Sequence, residues 1–390
     1  MHWLPGDTVI VSLMNAANNE TREHTMTLRQ RFEAVFAGRR PDAMAWYGDL
    51  TYWYFAHQKM GDLGEAWSGP RGIGQVHKDL RLGEYVGGCR AFMQAEGAPV
   101  RLEVRDEGDD HIVQWHTPVG ELRQVQRYSP DSFSWGFTEH AVKSVQDLRV
   151  VRYIMEHRQY MPAPEWCDQV TRDYGDGGVC IAAVPGSPIT ELNKTWSGVM
   201  TLCYMLADEP DEVRKTLQAI GESQDRLWAI TEQSACPYVM ICENLSAETM
   251  GSYFDEFIAP YVARRMEGLH RCGKKALIHI DGKLRGVLQK VQATGVDCID
   301  SVVPEPVGDV AIEDLRPLAG DKILLLGGLP GAMFAPPFAA RDIERQVRKI
   351  IDLHKDTGRF MLGVADQVPP NGDLALVRLV SDLVDEYGRY

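Results

Sequence analysis

Apolar residues along this chain fall into two rhythms. From about Lys143 onward, short apolar runs alternate with stretches of helical periodicity. The runs are VCIAAV around Cys180, YVMIC ending at Cys242, ALIHI ending at Ile280, CIDSVV from Cys298, ILLL ending at Leu326 and FMLGV ending at Val364. Between them the pattern predicts helices. One is opened by Pro210-Asp211-Glu212, with Val213, Leu217 and Ile220 on its inner face; others cover about 248–270, closed by Gly273, and about 373–387. Strands separated by single helices imply a parallel sheet with right-handed crossovers. Runs that are apolar throughout, rather than alternating, imply a sheet covered on both faces.

The amino-terminal part reads differently. Thr27 to Gly38 predicts a short amphipathic helix with Leu28, Phe32, Val35 and Phe36 on one face, followed by a strand in MAWYGDL and the aromatic segment TYWYFAH. From Val100 to Tyr128 apolar and polar residues alternate, with turn signals at Glu107-Gly108-Asp109 and Pro118-Val119-Gly120. This predicts a β-meander, placed as an insertion over about 99–130, outside a βα framework. About seven strands can be placed, and an eighth is expected between Tyr54 and Leu80. The reading is a single α/β domain over residues 1–390, a (β/α)8 TIM barrel with residues 1–25 as an amino-terminal extension. An open doubly wound sheet is the alternative, but no Gly-rich phosphate loop follows the first strand.

Composition narrows the function. A formal net charge of −14 disfavours nucleic acid as a partner. No stretch approaches the roughly 20 apolar residues of a membrane helix, and the first residues do not read as a signal peptide. The eight cysteines form no CxxC pair and read as buried, reduced thiols, so a cytoplasmic location is expected. Oligomeric state is not legible, and a homodimer stays open.

In a barrel, chemistry sits where strands end. The residues there include Tyr47, Asp49, Tyr52 and Trp53 after the first strand, Ser187 in the loop after VCIAAV, Glu243 after YVMIC, His279 and Asp281 around ALIHI, and Asp366 after FMLGV. Glu243, His279, Asp281 and Asp366 make a constellation suited to a divalent metal with N/O ligands, zinc first, or to acid–base work with Glu243 and Asp281 as the catalytic carboxylates. Blander readings stand beside it: His279 as a core histidine, Asp281-Gly282 as a turn, Asp366 as a turn cap. The aromatic segment with Tyr47, Tyr52 and Trp53 either packs the first strand or, with Asp49 and Ser187, lines a pocket for a flat ligand.

The segments RQRFEAVFAGRRPDAMAWYGD, HTPVGELR, TEHAVKSVQDLRVVRYIMEH, VPGSPIT, LLGGLPG and ADQVPPNGD, with the long run from ENLSAETMG to ALIHIDG, resemble the uroporphyrinogen decarboxylase superfamily. The resemblance runs from about Thr27 to near the end and is nearest to its corrinoid-dependent, methylcobalamin:coenzyme M methyltransferase-like branch. It implies a distorted (β/α)8 barrel and transfer of a methyl group between a small molecule and a corrinoid carried by a partner protein. That branch holds zinc with a His-x-Cys motif and a later Cys. The matching positions here are His279, Asp281 and Asp366, so both thiolates are replaced by carboxylates and Glu243 becomes a fourth ligand or proton donor. A harder, more Lewis-acidic site suits an aromatic methyl ether or a pterin better than a thiol. Two alternatives remain: a cofactor-independent decarboxylase, although the arginine-rich early motif of that branch is not visible, and a non-catalytic tetrapyrrole- or corrinoid-binding protein.

Overall fold

The computed structural model describes residues 25–85 and 89–390, so the extension expected over residues 1–25 lies almost wholly outside the described residues. In chain order the strands are β1 (Trp46–Tyr47), β2 (Phe92–Glu96), β3 (Arg101–Glu107), β4 (Asp110–Thr117), β5 (Gly120–Ser129), β6 (Ser134–Glu139), β7 (Arg158–Pro162), β8 (Ile181–Pro185), β9 (Tyr238–Leu245), β10 (Lys275–Ile280), β11 (Cys298–Val302), β12 (Leu324–Pro330) and β13 (Phe360–Ala365). Seven of them form the central sheet, in the order β1–β13–β12–β11–β10–β9–β8, and every pairing in it is parallel. The α/β reading and its distorted barrel are thereby observed, with helices on the outer face as the apolar runs require.

The eighth strand is not where the sequence pattern puts it. The interval from Tyr54 to Leu80 holds the helices Thr51–Met60 and Gly72–Leu80. The gap between β1 and β8 is spanned by residues 82–85, through parallel bridges Tyr47 to Gly83 and Glu84 to Gly178. Gly83 N donates to the Trp46 carbonyl at 3.0 Å and Val179 N to the Glu84 carbonyl at 2.8 Å. The segment is too short to carry a hydrophobic period. It also needs its glycine: a Cβ at Gly83 would stand 2.4 Å from the Tyr47 ring.

The meander is present and larger than expected. β3, β4, β5 and β6 form one antiparallel sheet, β6 lying beyond the predicted end of the insertion, and β2 pairs separately with β7. The sheet is anchored by Trp115, whose ring lies 5.1 Å from that of Trp196.

Two cores divide the strand residues by parity. Ile181, Tyr238, Met240, Leu277, Cys298, Leu324, Leu326 and Met361 join Tyr47 and Tyr85 inside the ring, with Phe32 and Phe36 of the helix Leu28–Phe36. Val184, Val239, Ile241, Ile278, Ile299, Leu325 and Leu362 face outward, against the helices. The two-residue period of a strand therefore decides which side chains at each strand end reach the mouth.

Candidate active site at the barrel mouth

Parity carries the inward set of β10 from Leu277 to His279, and that of β11 from Cys298 to Asp300. The two residues are partners across the strands, and His279 Nδ1 donates to Asp300 Oδ2 at 2.9 Å. The other Asp300 oxygen accepts from the Tyr85 hydroxyl at 2.9 Å. Burial, with the negative charges of Asp300 and Asp49, holds that phenol well above its usual range, so it stays a donor.

With Nδ1 engaged, His279 presents Nε2 to the mouth. Asp281 Oδ2 lies 3.7 Å from it. One ligand atom each from His279, Asp281 and Asp366 lie within 4.8 Å of one another. Asp366 follows β13 in a left-handed conformation, φ 67°, uncommon for a side-chain-bearing residue. Its amide donates to Ser301 Oγ at 2.7 Å, fixing the turn that aims its carboxylate inward. Burial alone would lower the His279 pKa, but hydrogen bonds and charge from Asp281 and Asp300 outweigh it and raise the value well above the usual imidazole range. Desolvation raises Asp366, as do the Asp281, Asp49 and Asp300 charges, with His279 opposing. Three aspartates, Asp281, Asp300 and Asp366, thus surround one imidazole. An N/O/O donor set with its imidazole backed by a carboxylate fits a divalent cation such as zinc.

Asp49 also belongs here. Desolvation raises its pKa, which hydrogen bonds from Thr51 and Gln367 oppose. Its carboxylate accepts from Thr51 N at 2.7 Å and Gln367 Nε2 at 2.8 Å, tying the β1 and β13 loops together.

Other sequence-selected residues lie elsewhere. Glu243 has the outward parity of β9 and is fully buried; its carboxylate accepts from Ser187 N (2.7 Å), Ser187 Oγ (2.6 Å) and Thr190 Oγ1 (2.5 Å). Burial raises its pKa against those bonds. Glu243 and Ser187 are therefore one buried linkage between β9 and the loop after β8, which corrects the expectation of a ligand or acid and of a substrate contact. Tyr47 is likewise corrected: it is buried inside the ring and its hydroxyl donates to the Leu28 carbonyl. Trp53 packs on His57, ring centroids 4.1 Å apart, and donates to the Gly372 carbonyl. Tyr52, in contrast, lines a cavity of about 800 Å³ with Phe55, Tyr128, Phe133, Trp135 and Tyr174, and Gln367 connects that cavity to the mouth. Glu84 in its wall is pushed up to about 7, by burial first and then by Asp173 and Asp49.

Sequence reasoning missed Asp300, Tyr85 and Cys242. The signal for Asp300 was available: an acid inside the apolar run CIDSVV, two residues from an inward position. Cys242 has the inward parity of β9. Burial raises its thiol while His279, Lys194 and Arg90 pull it down. It lines a second cavity of about 490 Å³, as do Arg90 and Lys194.

A family model described as Uroporphyrinogen decarboxylase (URO-D) matches residues 137–387. Among solved structures the fold is similar to a methyltransferase from Methanosarcina mazei, at 14% identity and a TM-score of 0.60, covering 93% of this chain and 99% of that one. A D-psicose 3-epimerase from Clostridium cellulolyticum is similar at 9% identity and a TM-score of 0.34, covering 58% of this chain and 85% of that one. No curated protein matches the chain in sequence. Among the described residues no helix is long and apolar enough to cross a membrane.

Proposed function

The chain belongs to the uroporphyrinogen decarboxylase (URO-D) family, and on that premise we propose that it is a methyltransferase moving a methyl group between a small molecule and a corrinoid protein. The observation that carries this reading is the convergence of His279, Asp281 and Asp366 at the barrel mouth, with Asp300 behind His279. His279 Nε2 and the two carboxylates would hold zinc, which as a Lewis acid polarises an oxygen or nitrogen of the methyl-bearing group. Asp300 and Tyr85 orient the imidazole. Asp281, beside the mouth and only partly buried, exchanges a proton with the leaving or attacking atom.

The aromatic cavity reaching Gln367 suits a flat molecule, an aromatic methyl ether or a pterin, with Tyr52 and Trp135 against its face. The corrinoid protein would dock over the mouth and bring its cobalt to the methyl group. The test is to incubate the protein with methylcobalamin and a set of phenols and pterins and follow the corrinoid spectrum. Demethylation that is lost in Asp366→Asn supports the assignment. A fully folded, zinc-loaded protein that leaves methylcobalamin intact with every acceptor, and demethylates no methyl ether with cob(I)alamin, rejects it.

One observation favours a second reading. Arg90 and Lys194 line the same cavity as Cys242, and two cations could hold a carboxylated substrate for decarboxylation. Release of carbon dioxide from uroporphyrinogen, lost in Arg90→Ala, would select it.

A further inference from the structure

Away from the mouth, four cysteines from four separate segments meet. Cys89 follows the short closing strand, Cys167 is the buried residue of the helix Pro164–Tyr174, Cys180 immediately precedes β8, and Cys236 lies just before β9. All four are buried, and their sulfurs lie within 4.8 Å of one another. The contacts are 3.3 Å for Cys89–Cys167, 3.4 Å for Cys180–Cys89 and 3.3 Å for Cys180–Cys236. The apolar side chains packed with them are small: Ala91, Ala182 and Val170.

From this arrangement we propose a structural zinc site with Cys89, Cys167, Cys180 and Cys236 as its four thiolate ligands. Thiols are weak donors and weak acceptors, so four of them turned on one another gain little, and an ordinary core would fill this space with alanine, valine or leucine. Tetrahedral zinc at about 2.3 Å from each sulfur places sulfurs roughly 3.8 Å apart, close to the separations seen. A disulfide instead needs about 2.05 Å between its sulfurs. A closed set of four protein ligands leaves no position for substrate, which marks a structural centre and not a catalytic one. Binding exchanges thiol protons for zinc and leaves a doubly negative centre. A cation stands beside it: the buried Lys274 ammonium donates to the carbonyls of Cys236 and Ser234, both at 2.6 Å.

The location explains the need. The ring is closed between β1 and β8 by two isolated bridges, its thinnest pairing. Cys89 lies just beyond that segment, and its carbonyl accepts from Ala183 of β8 at 2.8 Å. The zinc would tie the closing segment, the starts of β8 and β9 and the outer helix into one unit. The ligands are 78, 91 and 56 residues apart in the three contacting pairs, so no spacing motif announces them.

The test is zinc K-edge absorption on the zinc-loaded full chain, alongside His279→Ala. Where the mouth also binds zinc, the wild type holds about two equivalents and His279→Ala about one; that remaining zinc is expected to have four sulfurs near 2.3 Å, a shell absent from Cys167→Ser and Cys236→Ser. Should the cysteine variants fail to fold, the His279→Ala spectrum still decides. In His279→Ala, a first shell of nitrogen and oxygen only or no bound zinc, or peptide mapping that finds these cysteines paired as disulfides, would overturn the proposal.

Discussion

His279 and Asp300 are register partners on β10 and β11, and the same pair is joined side chain to side chain at 2.9 Å. A strand pairing that aligns two inward positions thus also fixes which imidazole nitrogen faces the mouth. Carboxylates behind ligating histidines typically contribute ten- to a hundredfold to metal affinity. Asp300→Asn is therefore expected to weaken zinc held by nitrogen and oxygen ligands by roughly that factor, while leaving the fold intact. Chelator competition measures it, and an unchanged affinity would remove Asp300 from this role.

Glu243 separates structure from chemistry. Its carboxylate accepts three hydrogen bonds from Ser187 and Thr190. Glu243→Gln places an amide donor among those donors and should lower stability by about 1–3 kcal/mol. Metal content should be unchanged. Chemical denaturation and elemental analysis check both; loss of metal at full stability would return Glu243 to the site.

Acid should loosen the ring closure through His77. This buried residue bonds the Leu82 carbonyl at 3.3 Å, and burial lowers its pKa to about 4. Below the unfolded value near 6.5 the unfolded chain binds a proton that the folded chain does not. The stabilisation is complete above that pH and is lost as pH falls through about 4. Its upper limit is about 3 kcal/mol. Denaturant midpoints between pH 7 and 4 should fall in wild type and fall less steeply in His77→Asn. Equal slopes would assign the acid sensitivity elsewhere, His354 being the next histidine held at about 4 by burial.

The aromatic cavity predicts a split in kinetics. Trp135 is half exposed on the meander and lines the cavity, and the mouth residues His279, Asp281 and Asp366 are not among its lining. Trp135→Ala should raise KM on the order of tenfold and leave kcat within about twofold, because it removes binding common to ground and transition states. Steady-state rates on the methylated substrate measure this, and a fall in kcat alone would place the substrate elsewhere.

The sequence by itself determined the barrel's rhythm. Apolar runs ending at Cys242, Ile280, Leu326 and Val364 coincide with β9, β10, β12 and β13, because a strand buried on both faces has no choice but to be apolar. It also supplied His279, Asp281 and Asp366 as a group, since strand ends in a parallel barrel share one mouth. Parity within each run decided the rest. Glu243 and Cys242 are neighbours in sequence, and one residue's step sends the acid outward and the thiol inward; a run apolar on both sides hides which is which. The closing strand at Gly83 and Glu84 is too short to show a period and exists only because β1 and β8 lie on either side of it. The four cysteines depended wholly on tertiary structure, because their meeting is set by ring closure and helix packing and leaves no periodicity in the chain.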